Sequence, residues 1–356
     1  GDVYKRQILD GAGARAIQDH IIIAGWAGKP AEAIAAYESL PSGAALPGDV
    51  QLAVARAYRD ERRWPQALAA FREGLRRHPG QSAFAAGEIM TLADAGQFDP
   101  ALAAGRKWVA SQPRNPDARL ALAYVHARQG QPFEALHQTD LAQGLAPDSP
   151  AVQREYIYAL QRARMADTAL ERARRHPDLF NAAQMRGFEA DALAQQVRLA
   201  AMPTRSEAER FVIADRALAR YDTLIPAWRQ LGDAARDDVT RARIDRLHAL
   251  HARVRMADLT LEYEALVAEG VTVPRYALND VASAYLYLRQ PERARDLYQQ
   301  VAADDAFNND DPEQRLANQT GRYYALAEGE QYDKTGAVTE AVQSGYAPWL
   351  CLLYTS

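Results

Sequence analysis

The chain has 356 residues, 48% of them hydrophobic and 25% charged, and a formal net charge of −4. That balance argues against a nucleic-acid binder, which needs a basic stripe, and no apolar run approaches the length needed to cross a bilayer. β-Branched residues are sparse, while Ala, Arg, Leu, Glu and Gln are plentiful, which is a helical composition.

The two ends read differently from the rest. Cys351-Leu-Leu-Tyr-Thr-Ser356 can be encoded by TGT CTC TTA TAC ACA TCT. The reverse complement of that string, read one base in, encodes Asp2-Val-Tyr-Lys-Arg6 and the first two bases of a Gln codon. Unrelated protein ends should not be reverse complements. The string matches a transposon end used in preparing sequencing libraries, so residues 1–7 and 351–356 are expected to be translated adapter around an internal fragment. The one cysteine, Cys351, then says nothing about redox compartment.

From residue 8 the chain repeats. Ala33, Ala67, Ala101, Ala135 and Ala169 are 34 residues apart, as are Pro79, Pro113 and Pro147. Gly28, Gly96 and Gly130 keep the same step, with Arg62 and Arg164 in the two missing slots. Residues 14–47 read as a degenerate unit that Pro41 cuts short. Residues 48–81, 82–115 and 116–149 are regular units, and a fifth runs from Pro150 to His176-Pro177. Asp49, Ser82 and Asn115 are candidate N-caps. A small Ala lets paired helices approach, Gly takes a turn other residues resist, and Pro stops the second helix. The set Tyr58, Trp64, Ala67, Phe71 and Pro79 resembles the tetratricopeptide (TPR) helix–turn–helix unit, whose period is 34. The resemblance implies an all-α solenoid, with a first array over 8–178.

After Asp178 the register is lost. A long helix is expected over 179–200, a break at Met202-Pro-Thr204, and a helix opened by Ser206-Glu-x-Glu209 running towards Tyr221. A helix pair is expected across 226–256, turning near Gly232. These read as a rigid spacer over 179–256. The pattern returns over 257–350, marked by Tyr263, Tyr276, Tyr285, Ala294 and Tyr298. This last stretch carries 16 Asp and Glu against 7 Lys and Arg over 258–350, a net of −9, whereas residues 8–200 are near balance. Two readings stand: a solvated polar face over core tyrosines, or a face for a cationic or sugar ligand, since Tyr offers an apolar plane with a polar tip.

Catalytic signatures are absent: there is no His-Glu-x-x-His, no cysteine pair and no Gly-x-Ser-x-Gly. His248 and His251 share a helix face without an obvious third ligand and read as surface or packing residues. Gly11-Ala-Gly13-Ala-Arg-Ala16 follows no strand and reads as a linker. The sequence therefore predicts no enzyme, no metal and no cofactor.

The irregular middle and second array carry a narrower resemblance. His176-Pro-Asp-Leu-Phe180, Glu189-Ala-Asp191, Ala194-Gln-Gln-Val-Arg198, and Ala214-Asp-Arg-Ala-Leu218 with Tyr221-Asp222 belong to it. So do Pro274-x-Tyr276-Ala-Leu278, Ala284-Tyr-Leu-Tyr-Leu-Arg289-x-Pro291-Glu292, Tyr323-Tyr-Ala-Leu326 and Pro348-Trp-Leu350. Together they resemble the periplasmic TPR region of the outer-membrane porins that export poly-β-1,6-N-acetylglucosamine. The resemblance implies a scaffold at the periplasmic face of the outer membrane, ahead of a β-barrel not found here. It implies two partners, a polysaccharide N-deacetylase and the partly deacetylated, cationic polymer. In the TPR family the first helix of each pair lines the concave surface, which points to Tyr276, Asn279, Asp280, Ser283 and Tyr287, with Tyr324 and Glu328 in the next unit. Tyr287 and Tyr324 read equally as core residues. A generic TPR adaptor for a protein or peptide, and a helical glycan-processing enzyme, are the competing functions.

Overall fold

A computed structural model describes residues 2–41, 45–200 and 205–302, together with 318, 320–322, 324 and 325; side chains are described from residue 13 to 301 and at those last six. Among the described residues every regular element is a helix. In chain order these are α1 (Asp2–Trp26), α2 (Pro30–Glu38), α3 (Gly48–Asp60), α4 (Trp64–Arg77), α5 (Ser82–Asp94), α6 (Phe98–Ser111), α7 (Pro116–Arg128) and α8 (Pro132–Leu145). There follow α9 (Pro150–Arg162), α10 (Ala166–Arg175), α11 (Ala182–Ala200), α12 (Glu207–Arg229), α13 (Arg236–Ala252), α14 (Met256–Ala268), α15 (Arg275–Tyr287) and α16 (Pro291–Ala302). Short 3₁₀ turns occupy Pro177–Leu179 and Gly232–Ala235. The chain divides into two compact units between Arg172 and Ala173.

In the first unit α1, α3, α5 and α7 each pack on the even-numbered helix that follows and on the next odd-numbered helix. This is the stacking of a TPR-type solenoid, where a pair can bury its apolar face only on its neighbours. The turn between paired helices is the repeating device. Gly28, Arg62, Gly96, Gly130 and Arg164 all take left-handed φ, from 57° to 74°. At Gly96 the Gln97 amide donates to the Leu92 carbonyl at 2.8 Å and the Gly96 amide to Ala93 at 3.0 Å. That pair of bonds satisfies carbonyls the helix end would leave open. The same two bonds recur at Arg62, Gly130 and Arg164. The Arg slots of the sequence repeat are thus the same turn made by a residue that resists it, not a different connection.

The turn folds the next helix back, and the residue five positions on meets its partner: Ala33, Ala67, Ala101, Ala135 and Ala169 are all buried. Packing between units uses size exchange. A Cβ at Gly87 would overlap the Phe71 ring, and one at Gly74 would overlap Phe84, so α4 and α5 interlock ring against glycine in both directions. One repeat later the volumes swap, with Gly105 under Leu122 and Trp108 in the Gly74 slot.

The second unit continues the scheme where the sequence reads a spacer. α11/α12, α13/α14 and α15/α16 are pairs, with α13 packed on both α11 and α15. One core runs through them, from Ala190 and Leu193 through Tyr221, Leu247 and Leu259 to Tyr285 and Val301. Longer helices break the 34-residue spacing but keep the pairing. The left-handed closing turn also returns, at Val254, Gly270 and Arg289.

Other expectations need correction. Helix α11 begins at Ala182, not Leu179, because the 3₁₀ turn intervenes and the Asn181 and Gln184 side chains each accept the other's backbone N–H at 2.9 Å. Helix α12 has the expected capping box of Ser206 and Glu209 but runs through Pro226 to Arg229, so the residues after 226 do not start a new pair. Of the candidate caps only Asn115 caps, accepting from Asp117 N. Asp49 and Ser82 lie inside their helices, where Ser82 donates to Asp117 at 2.5 Å. The break at Met202-Pro-Thr204, and residues 303–317 and 326–356, lie outside the described residues.

Two stability outcomes follow. Val254 is β-branched and holds φ at 62°, a conformation that costs an L-residue roughly 1–2 kcal/mol. Val254→Gly should raise the unfolding free energy by about 1 kcal/mol in urea melts, since glycine's extra unfolded-state entropy offsets part of the relief. Gly87→Ala, although a better helix former, should lower it by about 1–3 kcal/mol because the Phe71 ring cannot move without a cost elsewhere.

Candidate functional site

The most developed polar constellation lies in the second unit on three first helices, α11, α13 and α15. On α13, Arg241, Asp245 and His248 stand at i, i+4 and i+7, one stripe of the helix, and His251 extends it. On α15, Tyr276, Asp280 and Ser283 form a matching stripe. The two stripes meet as a ladder. Tyr276 OH donates to Asp245 Oδ1 at 2.9 Å. His248 Nδ1 bonds Asp280 Oδ2, and His251 Nδ1 sits 3.5 Å from the other Asp280 oxygen. His251 Nε2 is 3.2 Å from Ser283 Oγ.

Beside the ladder a cavity of about 500 Å³ opens between α11, α13 and α15. Ala194 and Val197 give it an apolar wall. Arg198, Arg241, Asp245, His248 and the Tyr276 ring line the remainder. Arg241 pairs with Asp191 and lies 3.7 Å from Asp245. On α12, Tyr221 is 1% exposed, and its hydroxyl has no hydrogen-bond partner among the described residues.

The electrostatics follow from burial. Desolvation pushes the Asp245 carboxyl above the usual range, against the Tyr276 hydrogen bond and the charges of Arg241 and Arg198. Burial also raises the Tyr276 and Tyr221 phenols, with Asp245 adding to both. For His248 burial works to lower the pKa, but the Asp280 hydrogen bond and the Asp280 and Asp245 charges outweigh it and hold it raised.

The residues singled out by sequence are distributed as follows. Tyr276 is half exposed and lines the cavity. Asp280 and Ser283 are engaged by the two histidines. Asn279 accepts from Asn318 Nδ2 at 3.1 Å. Tyr287 is 63% exposed and Tyr324 37% exposed, so neither is buried. Glu328 lies outside the described residues. Sequence reasoning missed Arg198, Arg241, Asp245 and Tyr221, and took the two histidines as surface or packing residues. The 241/245/248/251 spacing on one helix was the available signal. Among the described residues, no group of three or more His, Cys, Asp or Glu is arranged to hold a metal ion, and no helix is long and apolar enough to cross a membrane.

The fold and the first-helix site define a class, the TPR-type helical-repeat scaffold. Within that class the chain is related to one kind of protein along nearly all its length. It is 32% identical over 346 residues, 95% of the chain, to the poly-beta-1,6-N-acetyl-D-glucosamine export proteins of Escherichia coli K12 and O157:H7. It spans 40% of the length of those relatives. Among solved structures, the P58(IPK) TPR domain covers 94% of the chain at 14% identity and a TM-score of 0.33. No family model matches the chain.

The His248–Asp280 pair predicts a pH dependence. A raised folded pKa means stabilisation that is complete below the ordinary histidine value, about 6.5, and is lost as pH rises through the folded value. The His248 ring resonance should titrate above the other histidines by NMR. Asp280→Asn should bring it down and flatten the fall in melting temperature from about pH 6 to 8.

Proposed function

We propose that this chain is a non-catalytic scaffold at the periplasmic face of the outer membrane. It holds partly deacetylated poly-β-1,6-N-acetylglucosamine on its second unit and docks the polymer's N-deacetylase, during export of the polysaccharide. The sequence relation to the export proteins over 95% of the chain carries this reading. The charge distribution supports it. Residues 258–350 carry a net −9, and a partly deacetylated glucosamine polymer is cationic. The near-neutral first unit has no such bias and suits protein docking.

The acidic stretch attracts the polymer as a field rather than through one ion pair. Asp280, the nearest candidate for an ammonium, is already held by two histidines and is largely enclosed. Exposed pairs contribute only about 0–1 kcal/mol each, so retention depends on many weak contacts along one chain. Exposed rings such as Tyr287 and Tyr324 offer the flat faces on which sugars stack.

In calorimetric titrations of the full chain, partly deacetylated polymer should bind more tightly than fully acetylated polymer. The difference should shrink as salt rises from about 50 to 500 mM, where screening shortens to a few ångströms. It should also fall in the Glu328→Gln and Tyr287→Ala variants. Equal binding of the two polymers at all salt concentrations would overturn the polymer role. Failure of the purified deacetylase to be retained on immobilised chain would overturn the docking role.

A further inference from the structure

The geometry points to the cavity between α11, α13 and α15 as a seat for one neutral, polyhydroxylated unit, an N-acetylated sugar rather than a deacetylated one. This rests on the polymer-binding reading and specifies which part of the polymer this site takes. From the acidic C-terminal stretch, Tyr276 reaches the cavity wall, and Asp280 stands behind it, bonded to His248. Among the lining residues the charges are Arg198, Arg241 and Asp245, with His248 held towards its protonated form, while Asp191 and Asp280 stand behind Arg241 and His248 and balance them. Arg198 is exposed, forms no ion pair among the described residues, and acts by its charge on Asp245. An ammonium entering here meets two guanidiniums and an imidazole, and the carboxylates within reach are already held, Asp191 by Arg241, Asp280 by His248 and Asp245 by Tyr276. A carboxylate or phosphate meets Asp245, fixed in place by Tyr276. Neither sign of ligand is favoured.

A neutral ligand with both donors and acceptors fits every group. Asp245 is partly desolvated and accepts one hydrogen bond from Tyr276, leaving acceptor capacity for sugar hydroxyl or amide donors. Arg198 and Arg241 donate to hydroxyl or acetyl oxygens. The half-exposed Tyr276 ring supplies a flat face for the sugar's C–H side. Ala194 and Val197 supply an apolar wall suited to an acetyl methyl. The volume, about 500 Å³, holds one or two sugar rings and not a longer run.

The test uses pocket-sized probes on the full chain. Saturation-transfer NMR is run with the β-1,6-linked N-acetylglucosamine disaccharide and with its doubly deacetylated form, at equal concentration and moderate salt. The acetylated disaccharide should give the stronger signal. Tyr276→Ala should weaken it about 5–10-fold, the loss of one aromatic face, and Asp245→Asn should weaken it while leaving the melting temperature near that of the parent. Arg198→Gln, an exposed change, should narrow the gap by letting the deacetylated form in, which a purely structural role would not do. Signal from the deacetylated form equal to or above the acetylated one, displacement by millimolar glutarate, or indifference to Tyr276→Ala would each overturn the assignment. If polymer still binds the full chain in such a case, the pocket assignment alone fails. If polymer binding is also absent, the broader reading fails with it.

Discussion

The left-handed turn that closes α1, α3, α5, α7, α9, α13 and α15 is the constraint on which the architecture depends. Its two backbone bonds satisfy carbonyls that the helix end would leave open, and its positive φ turns the chain so that the next helix lies back on the first. The second helix can come close only where its contact residue is small, which is why Ala33, Ala67, Ala101, Ala135 and Ala169 are buried without exception. Arginine at 62 and 164 and valine at 254 hold the same conformation at a cost, so the surrounding packing imposes the turn even where the local residue opposes it.

The same pairing persists in the second unit with longer helices, and that persistence builds the site. A stripe on α13 faces a stripe on α15 because both are first helices of adjacent pairs. The polar ladder of Asp245, His248 and His251 against Tyr276, Asp280 and Ser283 ties the two helices together. α11 then completes a cavity with Arg198 and an apolar wall.

Charge acts at two ranges in this protein. The net −9 of residues 258–350 is a diffuse property that favours a cationic chain at a distance. Inside the cavity, the carboxylates nearest to it are engaged: Asp280 by two imidazoles, Asp191 by Arg241, Asp245 by Tyr276. The local surface is therefore set by hydrogen bonds and shape rather than by net charge. On the proposed reading, a polymer with scattered ammonium groups among neutral units would match both ranges at once.

The repeat, the helix pairs of the first unit and the slots of the turn were legible in the sequence, because each unit contacts only its neighbours and its signature residues lie within 34 positions. Tyr276 could be placed on a first helix for the same reason. The pairing across 179–256 was not legible, since longer helices remove the fixed spacing while preserving the contacts. Nor was the fate of Asp280. Its partners are 32 and 29 residues away on another helix, and only the packing of α13 on α15 decides that a carboxylate read as open to a ligand is spent on two histidines. The cavity depends on three helices drawn from residues 194 to 276, so its composition is a product of tertiary stacking. Sequence determined the kind of scaffold, because periodicity is local. Structure decided which side chains face a ligand, because that depends on how successive pairs register.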